Sequence, residues 1–212
     1  MKKHEAVLRQ LFRMLESFKQ QKPEFYAHLE EVIDATFFPD DKILYRQDEI
    51  IKQIFFLASG TASAYSYNDD GERQTLHIYQ QNELIAGQSF THQSPGTYYL
   101  MVCGGSYMLH MTHKQLNEVY SLFPEAEELA RLILSAREIK DLRHKKILGL
   151  QGIQMVEAFY NDYPELLEPG KVLRDRDVAS YLLLAEGTLR GLRNELFRLG
   201  KLENPAKKNL RG

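Results

Sequence analysis

The stretch 173–199, LRDRDVASYLLLAEGTLRGLRNELFRL, holds the residues that could recognise a nucleic acid. Two short helices separated by a tight turn, the second carrying basic residues, are typical of a DNA-reading helix-turn-helix. An ordinary helical hairpin with a solvated face would give the same local pattern. In the second helix the leucines recur three or four residues apart, which predicts a single apolar face made of Leu189, Leu192, Leu196 and Leu199.

Charge is distributed unevenly along the 212 residues, whose net charge is −2. Residues 171–212 carry ten Lys or Arg against five Asp or Glu, which is +5 locally and leaves −7 for the rest. This asymmetry favours a basic module attached to an acidic body. Five of the basic residues lie outside the helical stretch: Lys171, Lys201, Lys207, Lys208 and Arg211.

Several classes of function are disfavoured by composition. Cys103 is the only cysteine, so we expect no intramolecular disulfide, iron–sulfur cluster or multi-cysteine zinc site. No Ser/His/Asp order, phosphate-binding glycine loop or paired-carboxylate pattern stands out, so we expect neither an enzyme nor a resident metal or cofactor. The N-terminus lacks the apolar core of a signal peptide, and no apolar run approaches a membrane span. We therefore expect a cytoplasmic protein.

The hydrophobic period changes twice along the chain. Residues 5–20 and the segment after Pro23 have helical spacing, whereas short β-branched and aromatic segments follow from Thr36. The triplet at 69–71, Asp-Asp-Gly, predicts a hairpin. We expect six to eight strands in an antiparallel sandwich or roll. Helical spacing returns after Thr112.

A long helix is predicted from Glu125 to about Leu150. Its apolar residues alternate three and four apart, which favours pairing with a second copy of the chain. Packing on the roll is the plainer alternative. The predicted dimer interface consists of Leu129, Leu132, Ala136 and Ile139.

The order of these elements, two helices, a roll, a long helix, a break and a helix-turn-helix, resembles the Crp/Fnr superfamily of bacterial transcription regulators. The resemblance covers nearly the whole chain. It rests on five short motifs. These are a hydrophobic strand followed by a glycine at 54–60, a turn at 70–73, the start of the family's phosphate-binding cassette at 82–84, the segment that leads into the long helix at 116–125, and the first helix of the DNA-binding pair at 177–182.

This resemblance implies an α+β chain with three parts. Residues 1–123 would form an N-terminal antiparallel β-roll of the cyclic-nucleotide-binding-like, jelly-roll type, together with its N-terminal helices. Residues 124–150 would form the dimerisation helix, and 151–212 a winged-helix-like helix-turn-helix domain. The family consists of homodimers that sense a ligand in the roll and bind palindromic double-stranded DNA.

The sensor motif departs from the family's pattern. The family pairs a Glu for the ribose with an Arg about ten residues later for the phosphate. Glu83 is present, but 93–99 contains no Arg, and none occurs between Arg73 and Arg131. Because burying a phosphate without a cation is costly, we expect no cyclic nucleotide. A different small-molecule effector, or none, is expected at the pocket implied by Glu83, Leu84, Thr97 and Tyr98.

The recognition helix departs as well. The family's base-reading Glu and Arg fall on Gly187 and Gly191, its turn glycine on Leu183 and its capping Ser or Thr on Ala185. One hypothesis is a divergent operator read by Thr188, Arg190, Arg193 and Asn194, with phosphates bound by Arg174, Arg176, Arg198 and Lys201. The alternative is a lapsed helix-turn-helix in a roll-fold sensor or scaffold that acts through protein contacts.

Overall fold

The computed structural model describes residues 4–168 and 172–203. The chain divides into two compact units, Met1–Ser66 with His77–Arg137, and Tyr67–Leu76 with Glu138–Gly212. Helix α5 (Glu125–Leu148) contributes residues to both units. The predicted basic residues Lys171, Lys207, Lys208 and Arg211, and any wing formed after residue 203, lie outside the described residues.

The first unit is built on two four-stranded antiparallel sheets, with strand orders β1-β8-β3-β6 and β2-β7-β4-β5. Eight strands within the described residues agree with the predicted six to eight. Their bounds are β1 (Asp34–Phe38), β2 (Lys42–Tyr45), β3 (Gln53–Ser59), β4 (Ala62–Tyr67), β5 (Arg73–Tyr79), β6 (Glu83–Ile85), β7 (Tyr99–Val102) and β8 (Ser106–Thr112).

One apolar cluster fills the roll, because alternate residues of each strand point to the same side. Phe55 and Leu57 of β3 meet Ala62 and Ala64 of β4 and Leu100 of β7 in this cluster. Tyrosines add a cross-strand pair to the roll. The rings of Tyr65 and Tyr99 face each other in register and stack 5.0 Å apart.

A second apolar cluster lies on the other side of β3, where helices cover the sheet. Leu11 and Leu15 of α1 (Glu5–Phe18) and Phe25 of α2 (Pro23–Val32) pack there with Phe56 of β3 and Leu129 of α5. Helices α3 (Gln88–His92) and α4 (His113–Leu122) complete this unit. The two clusters explain why β3 reads as a nearly continuous apolar run, since both of its faces are buried.

The second unit contains α6 (Ile153–Asp162), a 3-10 turn at Pro164–Leu166, α7 (Asp175–Tyr181) and α8 (Glu186–Arg198). Helix α8 packs on both α6 and α7. The break before α6 is at Gly152, whose φ of +54° suits glycine. The tip of the β4–β5 hairpin, Tyr67–Leu76, also belongs to this unit.

Candidate nucleic-acid interface

Helices α7 and α8 are joined by the tight turn of a helix-turn-helix. The N–H groups of Leu183 and Leu184 donate to the carbonyls of Ser180 and Ala179, the two hydrogen bonds of a Schellman motif. Leu183 occupies the left-handed position with φ +55° and is 77% exposed. The turn therefore keeps its geometry although a leucine stands where glycine is usual.

Helix α8 has one buried and one exposed face. Leu189 and Leu196 are fully buried, and Leu192 is half-buried. The predicted apolar face was wrong at its last member, because α8 ends at Arg198 and Leu199 is 54% exposed. Ala185 caps the helix start without a side-chain hydrogen bond, as its side chain predicts.

Arg193 is buried, which its predicted role as a base reader did not anticipate. Its guanidinium forms two hydrogen bonds to the Asp175 carboxylate, Nη1 to Oδ1 at 2.7 Å and Nη2 to Oδ2 at 2.8 Å. Nη1 also donates to the Tyr160 hydroxyl at 2.9 Å. Since the Arg193 residue is only 4% exposed, its side chain joins α6, α7 and α8 rather than facing a ligand.

These contacts change the titration of all three groups. The hydrogen bonds from Arg193 hold the pKa of Asp175 below its usual range. The same pairing raises the pKa of Arg193 despite its burial. Burial raises the pKa of the Tyr160 phenol. The cluster is therefore an ionised Asp–Arg pair with a neutral tyrosine beside it at neutral pH.

The other predicted basic residues are exposed, and most lie beside carboxylates. Arg190 Nε is 3.0 Å from Asp175 Oδ2, and its guanidinium also contacts Glu186. Arg198 lies 3.8 Å from Glu195, and Lys201 lies 2.8 Å from Glu157 of α6. Arg176 is 3.9 Å from Asp177, and Arg174 is exposed at the start of α7. Residues 172–203 contain six basic and five acidic residues.

Thr188 and Asn194 are exposed on α8. Within the described residues, neither side chain takes part in a hydrogen bond or ion pair. Gly187 and Gly191 are also exposed, and a Cβ added at either would meet nothing within 4 Å. The outer face of α8 is therefore open backbone flanked by a few polar side chains.

The hairpin tip holds α7 through contacts that sequence reasoning missed. The backbone N–H of Thr75 donates to Ser180 Oγ at 3.0 Å, and Ser180 Oγ donates to the carbonyl of Arg73 at 3.2 Å. Arg73 Nε lies 3.2 Å from the buried Asp177 carboxylate. Burial raises the pKa of Asp177, against the effect of Arg73. No local sequence pattern signals these contacts, because about 100 residues separate the two segments.

In the roll, the predicted effector-pocket residues are only partly brought together. Glu83 and Tyr98 both act on the Tyr79 phenol electrostatically, which places them in one neighbourhood. Leu84 points to the other side of β6 and packs with the helix-covered cluster, because neighbouring strand residues alternate between faces. Thr97 is exposed. The structure therefore corrects the predicted pocket by removing Leu84 from it.

Side chains of the roll and of α5 fill this neighbourhood. The Tyr98 hydroxyl lies so close to Gly87 that a Cβ there would be 2.0 Å from it. Arg137 of α5 donates to the Tyr79 hydroxyl at 2.9 Å and to the carbonyl of Ala86 at 3.2 Å. Burial raises the pKa of Tyr79 to about 12, so its phenol is neutral at neutral pH. Sequence reasoning missed Arg137 because it is 54 positions from Glu83.

In the loop before β7, the backbone N–H of Gly96 is already used in a hydrogen bond and is not available to an anion. Its N–H donates to the carbonyl of Glu49 at 2.9 Å, and its carbonyl accepts from the N–H of Asp48 at 2.8 Å. An added Cβ would lie 3.3 Å from the Glu49 carbonyl oxygen and 3.5 Å from Ser89 Cβ. This loop is therefore packed closely against residues 48–49.

The predicted dimer residues on α5 separate into two groups. Leu129 is 3% exposed because it packs against the chain's own roll, whereas Leu132 and Ile139 are 39% and 67% exposed. Ala136 is half-buried between them. Leu142, which the prediction omitted, is 50% exposed and continues the stripe three residues after Ile139.

Other kinds of site find little support in residues 4–168 and 172–203. No group of three or more His, Cys, Asp or Glu side chains in these ranges is placed to bind a metal ion. None of the helices there has both the length and the apolar character needed to span a bilayer.

The chain thus has a β-roll followed by a long helix and a helix-turn-helix. Residues 35–122 match the family model of the Cyclic nucleotide-binding domain. The fold is similar to that of FixK2 from Bradyrhizobium japonicum, with 18% identity, coverage of 80% of this chain and 86% of that one, and a TM-score of 0.65.

Two further solved structures share the fold. The c-di-GMP responsive global regulator CLP of Xanthomonas campestris is 13% identical, with coverage of 84% and 93% and a TM-score of 0.61. The catabolite activator protein of Thermus thermophilus is 16% identical, with coverage of 88% of each chain and a TM-score of 0.51. No curated protein matches the sequence. The chain thus has the fold of the Crp/Fnr regulators, which confirms the resemblance in its sequence.

The buried ion pair predicts a specific dependence of stability on pH. Asp175→Asn should lower the free energy of unfolding at pH 7 by about 3–5 kcal/mol, because it leaves the Arg193 charge buried without its counterion. Since the folded pKa of Asp175 is depressed, its stabilisation is complete above the unfolded pKa of about 3.9 and is lost as the pH falls through the folded pKa. The difference between variant and wild type, measured by urea unfolding, should therefore shrink below pH about 4.

Arg190→Ala is the matched control, because Arg190 contacts the same carboxylate but its side chain is 58% exposed. Its cost should be below about 1 kcal/mol. Both variants keep Asp177, whose pKa shift has the opposite sign. Its contribution to the pH dependence of stability therefore cancels when the two variants are compared. Equal losses in the free energy of unfolding for the two substitutions would contradict the interpretation of Asp175 and Arg193 as a buried ion pair.

Proposed function

We propose that this protein is a homodimeric DNA-binding transcription regulator of the Crp/Fnr type whose roll does not take a cyclic nucleotide. The observation that carries the proposal is the helix-turn-helix geometry, in which α8 presents a full exposed face beside the exposed Arg174, Arg176 and Arg198. The fold shared with CLP and the catabolite activator protein supports the regulator class.

The alternative is a scaffold that acts through protein contacts with a lapsed helix-turn-helix. One observation favours it: most exposed basic side chains of α7 and α8 lie beside carboxylates, and acidic and basic residues nearly balance in 172–203. Phosphate binding requires these arginines to exchange carboxylates for phosphates. The pairs are largely solvent-exposed, so this exchange has a small energetic cost.

DNA binding should show the salt dependence of phosphate contacts. We expect phosphate contacts from four residues of each protomer: Arg174, Arg176, Arg198 and Lys201. A plot of the logarithm of the binding constant against the logarithm of the salt concentration should then have a slope of about −7. Arg198→Ala should reduce this slope by about 2, because the dimer loses two contacts. Fluorescence anisotropy with labelled duplexes between about 50 and 200 mM salt measures both values.

Arg9→Ala is the control, since Arg9 is similarly exposed but lies on α1. It should leave affinity and slope unchanged. Absence of binding at low salt, or equal slopes for wild type and the Arg198 variant, would refute the regulator and favour the scaffold.

The cyclic-nucleotide part of the proposal rests on the filled neighbourhood around Tyr98. A cyclic nucleotide carries a phosphate that needs a cation or several N–H donors. The Gly96 N–H is used by Glu49, and Arg137 is bound to Ala86 and Tyr79. Ligand binding would have to displace the Tyr98 ring and break these contacts.

We therefore expect cyclic AMP and cyclic GMP at millimolar concentration to leave the melting temperature of the protein unchanged in differential scanning fluorimetry. A site with a Kd of about 10 μM would add about 2.7 kcal/mol at 1 mM ligand, which is easily detected. A clear upward shift would show that the side chains around Tyr98 give way to the ligand.

Dimerisation is proposed through the exposed stripe Leu132, Ile139 and Leu142 on α5. Leu132→Asp and Ile139→Asp should each give monomers in sedimentation equilibrium, since a charge in a helix–helix seam is left unpaired. Leu134 is the matched control, because it is 54% exposed and points away from both Leu132 and Ile139 on the same helix. Leu134→Asp should remain dimeric. Dimers that persist in the first two variants would place the interface elsewhere.

A further inference from the structure

The outer face of α8 contains very few side chains that could read a base. With about 100° per residue, Gly187, Gly191, Asn194 and Arg198 fall within an arc of about 60°, opposite the buried Leu189 and Leu196. The first two have no side chain. Asn194 is therefore the first side chain that projects from the centre of this face after the N-terminus of α8.

Neither Arg190 nor Arg193 projects from the centre of this face. Arg193 is buried against Asp175 and Tyr160, and Arg190 lies to one side of the face with Asp175 and Glu186 as partners. Arg198 lies one turn further from the N-terminus, which in a helix-turn-helix is the end that enters the groove. By elimination, base reading on the central face falls to Asn194.

The two glycines suit a short side chain in this role. No atoms lie within 4 Å of the positions that a Cβ would take at Gly187 and Gly191, so the α8 backbone can approach a ligand closely there. An asparagine amide is short, but it can donate to N7 and accept from N6 of adenine at once, as a bidentate contact in the major groove. Close approach of the backbone compensates for the short reach.

We propose that Asn194 is the specificity-determining residue of this protein and reads one adenine in each half-site, with Gly187 and Gly191 allowing α8 to lie deeper in the groove. This inference rests on the proposed function, since it presupposes DNA binding. The fold alone identifies neither the residue that reads a base nor the base that is read.

Selection from random duplex DNA by the full-length wild type should enrich a motif with one fixed A·T pair in each half-site. Asn194→Ala should lose the preference at that pair, bind the motif about 5- to 150-fold more weakly, and keep its affinity for unrelated DNA. Asn117→Ala is the control, because Asn117 is an equally short, exposed amide but lies on α4, and it should keep the preference. Thermal unfolding of each variant establishes that it is folded.

Replacing the fixed adenine by 7-deazaadenine removes the N7 acceptor. The wild type should then lose affinity, whereas Asn194→Ala should lose nothing further. Gly191→Gln should weaken binding to the motif although it adds a better helix former. An enriched motif with the same preferences in wild type and Asn194→Ala would overturn the role of Asn194 but leave DNA binding intact. Failure to enrich any motif would overturn both.

Discussion

The buried contact between Asp175 and Arg193 determines what the helix-turn-helix can do. It joins the first residue of α7 to the middle of α8, and Tyr160 extends it to α6. Desolvating two charges is costly, so such a pair contributes little net stability compared with an apolar core. Its directional, bidentate geometry does, however, define how three helices lie against one another. The consequence is that one of the four arginines on α7 and α8, Arg193, is buried and contributes nothing to the exposed surface.

The sequence contains part of this information. Arg193 follows Leu189 by four residues and precedes Leu196 by three, so helical spacing alone places it near the buried face. What spacing cannot give is the partner, because Asp175 and Tyr160 are 18 and 33 residues away in other helices. The prediction that Arg193 reads DNA was therefore wrong, although its position between two buried leucines already indicates the interior.

Local patterns predicted the elements well and the pocket poorly. The strands, the 69–71 hairpin, the long helix and the two helices of the DNA-binding pair follow from periodicity and turn residues, which are properties of neighbouring positions. The surroundings of Tyr98 depend on its close approach to Gly87 and on the hydrogen bond from Arg137 of α5 to Ala86. Such contacts are decided by packing between distant segments. The assignment of Leu84 to the pocket failed for a simpler reason, since strand alternation turns it away from Glu83.

The roll and helix α8 both depart from the Crp/Fnr sequence pattern. In the roll, side chains of the chain itself, Tyr98 and Arg137, occupy the neighbourhood where the family pattern would place a ligand. In α8, Gly187 and Gly191 carry no side chains, and Arg193 is buried. A surface with fewer large cations attracts phosphates less strongly and relies more on close fit. The recognition that we propose, by a short amide on an exposed glycine backbone, therefore requires accurate positioning of α8. The buried Asp175–Arg193 pair supplies that positioning.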